Sequence, residues 1–218
     1  MTQRPATESE PTPDCPLCPR LAAFRQASRT AEPSWFNAPV PSFGPADARL
    51  TVVGLAPGLR GANRTGRPFT GDYAGDLLYA TLIKFGFARG RYEARPDDGL
   101  ALIDCRITNA VRCVPPENKP TPLETKTCRQ FLSAALASLP AVAALLALGR
   151  IAHDSTLASL GLRAAAFPFA HGAIHKLKPG LTLYDSYHCS RYNTNTGRLT
   201  TPMFESVIAA IRRDLDQL

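Results

Sequence analysis

From Leu50 onward the chain alternates between short apolar runs and longer stretches of helical periodicity, and that alternation limits the fold more than any other feature. Leu50-Thr-Val-Val-Gly-Leu55, Cys105-Arg-Ile-Thr-Asn-Ala-Val111, Val142 to Leu148 and Leu181-Thr-Leu-Tyr-Asp-Ser-Tyr187 have the length and apolar content of buried strands. Tyr73 to Phe87, Leu123 to Leu139, Arg150 to Leu160 and Thr201 to Leu215 place apolar residues at helical spacing between and after them. Strands separated by helices pair in parallel through crossovers, and a parallel sheet must be covered on both faces. The expected fold is therefore α/β, a short, mainly parallel four-stranded sheet between helical layers. At 218 residues the chain suits one domain better than two. Residues 1–13, rich in Pro, Thr and Glu, are expected as a disordered tail, and 14–218 as the single domain. Pro19 to Ser28 predicts a further short helix, and 167–178 alternates weakly, as a hairpin would.

In such folds ligands collect at the carboxyl ends of the strands. Three unusual stretches follow the first, second and fourth strands, so they are expected to share one crevice. The first, Gly54 to Asp72, is rich in glycine, which lets backbone approach a ligand closely. It lacks the Gly-Lys-Ser/Thr of a phosphate loop and the glycine spacing of a dinucleotide fingerprint. Phe69 offers a stacking surface and Asp72 a carboxylate; a core Phe and a helix-start acid would look the same. The second, Thr108 to Pro120, begins with Asn109, which carries the acceptor and donors that complement an amide-like base edge and is also a common turn former. The third, Ser186 to Thr200, holds His188 and then hydroxyls, amides, Arg191, Arg198 and the aromatic Tyr192, a composition suited to phosphates and to a wedge between bases. His153, His171 and His175 lack such company and are read as surface or hairpin residues.

Lys and Arg outnumber Asp and Glu by 25 to 18, and the acidic first fourteen residues leave the rest more basic still, which suits a polyanionic partner. No run is long and apolar enough for a signal peptide or a membrane span, so a cytoplasmic, nucleoid-associated protein without membrane contact is expected. In a reducing compartment metal ligation is the better reading of the cysteines than disulfides. Cys15-Pro-Leu-Cys18 with Cys113 and Cys128 supplies four thiolates, for which zinc and an iron–sulfur cluster both remain open. Cys105, inside a strand, reads as a core residue.

Taken together, Gly54-Leu-Ala-Pro-Gly, Asn63-Arg-Thr-Gly-Arg, Phe69-Thr-Gly-Asp72, Thr108-Asn-Ala-Val-Arg-Cys113, Ser186-Tyr-His188 and Asn193-Thr-Asn-Thr-Gly-Arg-Leu-Thr200 resemble the family five (type b) uracil-DNA glycosylases over about residues 15 to 200. The resemblance implies a three-layer α/β/α sandwich, a [4Fe–4S] cluster on Cys15, Cys18, Cys113 and Cys128, and hydrolysis of the N-glycosidic bond of uracil and other deaminated bases, such as hypoxanthine and xanthine, in DNA. By match, Asp72 would be the catalytic carboxylate and His188 the leaving-group partner. Phe69 and Asn109, with Gly54 and Ala56, would surround the base. Asn63, Arg64, Arg67, Ser190, Arg191, Tyr192, Asn193 and Arg198 would follow the DNA. Two departures stand out. Cys189 replaces the family's usual Pro after the His and loosens the loop entry, and Tyr192, where Gln is common, becomes the expected wedge. The expected product is an abasic site for base excision repair, made by a monomer. The alternatives are a non-catalytic iron–sulfur module that binds DNA lesions and a zinc-stabilised nucleotide hydrolase.

Overall fold

The computed structural model describes residues 10–218, so the expected tail lies, over residues 1–9, outside the described residues. Glu10 accepts from the Ser42 backbone N–H (3.1 Å) and pairs with Arg112 (2.9 Å).

In chain order the main elements are α1 (Pro19–Ala31), β1 (Leu50–Gly54), α2 (Ala62–Thr65), α3 (Tyr73–Lys84), β2 (Ala88–Arg89), β3 (Ala101–Leu102), β4 (Cys105–Asn109), α4 (Pro122–Ala137), β5 (Ala144–Leu148), α5 (Arg150–Ser159), β6 (Ile174–Lys178), β7 (Leu181–Ser186), α6 (Arg191–Asn195) and α7 (Thr201–Leu215). The central sheet runs β4-β1-β5-β7-β6; its first four strands are parallel, and β6 adds an antiparallel edge through the hairpin to β7. Those four are the strands read from the sequence, and β6 makes the sheet five-stranded.

Alternation along each strand sends residues to opposite faces and creates two cores. Leu50, Val52, Leu146 and Leu148 pack with Leu78 and Leu82 of α3 and Phe204, Ile208 and Ile211 of α7. Val53, Leu145 and Ala147 pack with Leu132 and Leu136 of α4 and Ala152 and Leu157 of α5. The molecule is thus the three-layer sandwich. Local chemistry fixes the helix starts. Thr121 and Glu124 form a reciprocal capping box ahead of Pro122 in the first turn of α4, and Thr200 caps α7 with Pro202 in its first turn. The hinge of the third loop is more regular than expected: Ser190 accepts from the Asn193 backbone N–H (3.4 Å) and starts α6.

His153 departs from its expected surface position. It is fully buried on α5, with Nδ1 2.7 Å from Asp185 Oδ1 and Nε2 2.8 Å from the Phe167 carbonyl oxygen. Both ring nitrogens face oxygens, an arrangement that favours a positive charge on the ring beside Asp185. Burial opposes that charge, while Asp185 raises the pKa. His175 reaches the other Asp185 oxygen (3.1 Å), and this pair of contacts pins the β6 hairpin onto β7.

Candidate active site

Parallel register brings the ends of β1 and β4 side by side, Gly54 opposite Asn109, and β7 ends two residues before His188. The three loops therefore open on one edge of the sheet, as the topology required. They enclose a cleft of about 690 Å³ whose lining includes Ala56, Phe69, Asp72, Asn109, Asn118 and His188.

Glycine shapes its floor. A Cβ on Gly54 would lie 2.3 Å from Asn109 Oδ1 and 2.6 Å from Phe69 Cζ, and one on Gly61 would lie 2.3 Å from Asp72 Oδ2. Phe69 is buried and holds a left-handed backbone (φ 53°), a strained state for a bulky residue that its surroundings must enforce. The Tyr92 hydroxyl donates to its carbonyl (3.1 Å), and its ring lies 5.8 Å from the His188 ring, tilted by 31°.

Asp72 stands at the start of α3, yet its carboxylate does not cap the helix; Oδ1 is buried with no hydrogen-bond partner. Burial raises its pKa above the ordinary carboxylate range, while the nearby amides of Gly75 and Ala74 oppose the rise. Asn109 Oδ1 is likewise buried and unpartnered, and Asn109 is 3% exposed. Desolvation lowers His188 to about 4, so its imidazole is neutral near pH 7 and offers one N–H donor. The Asn193 amide donates to the His188 carbonyl (2.8 Å), fixing the loop that carries it. Two buried polar atoms without partners, an aromatic floor and a neutral imidazole in one cleft provide what a planar heterocycle needs for recognition.

Around the mouth, Arg191 is exposed and stacks over Tyr73 (5.3 Å), Tyr192 is 71% exposed, and Arg198 stacks over Tyr187 (4.7 Å). Arg64 is exposed as expected, and Ser190 lines the cleft while capping α6. Two expected DNA contacts are corrected. Asn63 is buried, with its amide donating to Asn37 Oδ1 (2.8 Å). Arg67 is buried in a bidentate pair with Asp98 (2.8 and 2.7 Å), donates through Nε to Thr70 Oγ1 (2.7 Å) and lies over the rings of Phe43, Tyr79 and Tyr92. Neither can meet a phosphate. Arg67→Met strands the Asp98 carboxylate, so a stability loss of about 3–5 kcal/mol is expected in urea unfolding, with DNA affinity nearly unchanged; the reverse pattern would show that Arg67 meets DNA after all.

Cys15, Cys18, Cys113 and Cys128 line a second, separate cavity, and all six cysteines are free thiols. Among the described residues, the one trio of His, Cys, Asp or Glu donor atoms within 4.8 Å of one another is His153, His175 and Asp185, so no three of the four sulfurs are gathered that closely. Burial pushes Cys113 up to about 11 and Cys128 to about 12, so these thiols ionise only beside a cationic centre. The two sites share a wall: the Val111 N–H donates to the Leu55 carbonyl (2.9 Å), and Ala56 packs against the cysteine cluster while lining the cleft. The sequence reading had not singled out Asn118 or Tyr73 in the cleft. Asn118 is the second of two successive left-handed residues (Glu117 φ 55°, Asn118 φ 57°), a conformation that Pro-Pro-Glu-Asn does not announce.

Fold and site together define a mainly parallel α/β domain whose cleft brings together an aromatic ring, a carboxylate and a neutral imidazole. A model of the uracil DNA glycosylase superfamily matches residues 41–212. A type-5 uracil-DNA glycosylase of Thermus thermophilus is 48% identical over 205 residues, covering 91% of this chain and 93% of that protein. Type-5 uracil-DNA glycosylases of Mycobacterium bovis and Pyrobaculum aerophilum are each 38% identical, covering 91% and 92% of this chain and 77% and 89% of their own. The chain belongs to the uracil-DNA glycosylase superfamily. Among the described residues no helix is long and apolar enough to cross a membrane.

Proposed function

We propose that this protein hydrolyses the N-glycosidic bond of uracil in DNA, and of other deaminated bases, leaving an abasic site without nicking the strand. The observation that carries the reading is Asp72 Oδ1, buried and unpartnered, in the same cleft as Phe69, Asn109 and neutral His188. The relatives, type-5 uracil-DNA glycosylases, point the same way.

A base inside a duplex is out of reach, so it is flipped into the pocket. Phe69 stacks on its face and Asn109 pairs with its edge. As the glycosidic bond breaks, its electron pair leaves on the base and the sugar becomes cation-like. Asp72 stabilises that cation and accepts the proton of the water that adds to C1′; the His188 N–H holds the base anion, which takes up a proton on release. The exposed guanidinium groups of Arg64, Arg191 and Arg198 suit the flanking phosphates, and Tyr192 the gap left by the flipped base. The glycines and Ala56 leave room for purines such as hypoxanthine.

The four cysteines fit a [4Fe–4S] cluster better than one zinc ion. Zinc at about 2.3 Å from each sulfur would draw all four within roughly 4 Å of one another, whereas no three of them lie all within 4.8 Å of one another here. Bound, the cluster would cross-link the segment before α1 to the loop after β4 and to α4, and it supplies no group to the cleft.

Purified protein is expected to turn uracil-containing duplex into alkali-labile abasic sites and to leave the undamaged duplex intact. His188→Ala is expected to lower that rate about a hundredfold, the usual cost of losing one donor to a developing anion. Lesion binding without alkali-labile product would overturn the proposal in favour of a non-catalytic module. A panel with uracil, hypoxanthine, xanthine and thymine mismatches sets the base range.

A further inference from the structure

The four-cysteine site contains a buried cation that, among the described residues, no carboxylate contacts. Arg25, on α1, is 4% exposed. Its Nη1 donates to Cys113 Sγ (3.4 Å), its Nη2 donates to the Cys15 carbonyl (2.9 Å), and its Nε has no partner. Among the described residues it forms no ion pair; Asp14, just ahead of Cys15, is exposed and held by Arg29 (2.5 Å). A guanidinium does not shed its proton in a protein, and an unpaired buried charge is costly. Arg112, on the other side of the thiols, makes the contrast clear: its backbone N–H points at Cys128 Sγ (3.4 Å), but its side chain has Glu10 at 2.9 Å. Arg25 has only a sulfur and a carbonyl.

The charges balance when the sulfurs are anionic. Four thiolates around a [4Fe–4S]2+ core make a dianion in a water-poor site, and a fixed cation on one ligand sulfur offsets part of that charge. We infer that Arg25 is the counter-ion of the metal–thiolate centre, acting through Cys113 to set how firmly the centre is held and at what potential it is reduced. The inference rests on the four-cysteine reading above. Arg25 does not line the base cleft and is a positioning residue.

The test compares full-length, anaerobically purified wild type with Arg25→Gln, which removes the charge, and Arg25→Lys, which keeps the charge but loses the fork that reaches both Cys113 and Cys15. Bound iron and zinc are measured, then the rate at which a chelator extracts the metal, then the midpoint potential of the centre by dithionite titration followed by EPR. Iron is expected in the wild type. Both variants are expected to release it about tenfold faster or more, the usual effect of losing an outer hydrogen bond to a metal ligand. Removing a positive charge disfavours an added electron, so the Arg25→Gln midpoint should move to more negative potential while Arg25→Lys stays near wild type. A purely structural role would not separate the two. Equal midpoints in all three proteins, or an Arg25→Lys shift as large as that of Arg25→Gln, would overturn the role of Arg25. If Arg25→Gln cannot be isolated, a wild-type release rate in Arg25→Lys does so. A wild type that binds no iron instead overturns the cluster reading itself.

Discussion

Asp72→Asn is expected to reduce single-turnover release of uracil from duplex DNA by roughly a thousandfold, within the range that general base and electrostatic groups contribute. The substitution keeps the size and planarity of the side chain, so the wall formed by Gly58 and Gly61 stays intact; only the charge goes. The carboxylate is placed for this role: it makes no side-chain cap on α3, its Oδ1 is buried with no partner, and the nearby Gly75 and Ala74 amides favour its charged form against burial. A rate within tenfold of wild type would remove Asp72 from the chemistry.

The pH profile provides a second reading of the same group. The working form of Asp72 is ionised, and burial raises its pKa, so the wild-type rate should fall as pH drops through that raised value, above the ordinary carboxylate range. His188, lowered to about 4, stays neutral over most of that interval and contributes no limb there. Asp72→Asn should therefore lose the acid limb along with the rate. An unchanged limb would assign it to another group.

The sequence disclosed those parts of the molecule in which local chemistry and tertiary demand agree. α7 is read to the residue, because Thr200, Pro202 and the apolar stripe all name the same boundaries. The convergence of the three loops follows from parallel topology alone, and the structure places residues 72, 109 and 188 in one cleft. What failed was the fate of polar side chains whose partners lie far along the chain. Asn63 and Arg67 sit in a glycine-rich loop that looks built for phosphate, but Asn37 and Asp98 turn them inward from 26 and 31 residues away. His153 is tied to Asp185, 32 residues on. β6 is faint for a different reason: this antiparallel edge strand only half-buries every second residue and needs little apolar signal. The strain at Phe69 and Asn118 is the remaining kind of silence, since the surroundings impose those backbones against local preference.

Gly54 is where the backbone and the chemistry bear on each other most directly. It ends β1 opposite Asn109, and a single added methyl there would meet Asn109 Oδ1 at 2.3 Å and the Phe69 ring at 2.6 Å. Neither neighbour can yield cheaply: the Phe69 ring is held among buried side chains of the core, and Asn109 is almost wholly buried. Gly54→Ala must therefore displace the stacking surface, the edge reader, or both, by an appreciable fraction of an ångström or more. Misplacement on that scale costs about a hundredfold where geometry sets the rate, and disturbing two recognition groups at once should take the loss of kcat/KM toward a thousandfold. Initial binding of duplex DNA precedes base flipping and uses groups at the mouth of the cleft, so the Kd for uracil-containing duplex should change by less than about threefold, under 1 kcal/mol. Kinetics and a binding titration on the same preparation separate the two. A variant that binds weakly but cleaves normally once bound would place Gly54 outside the base pocket.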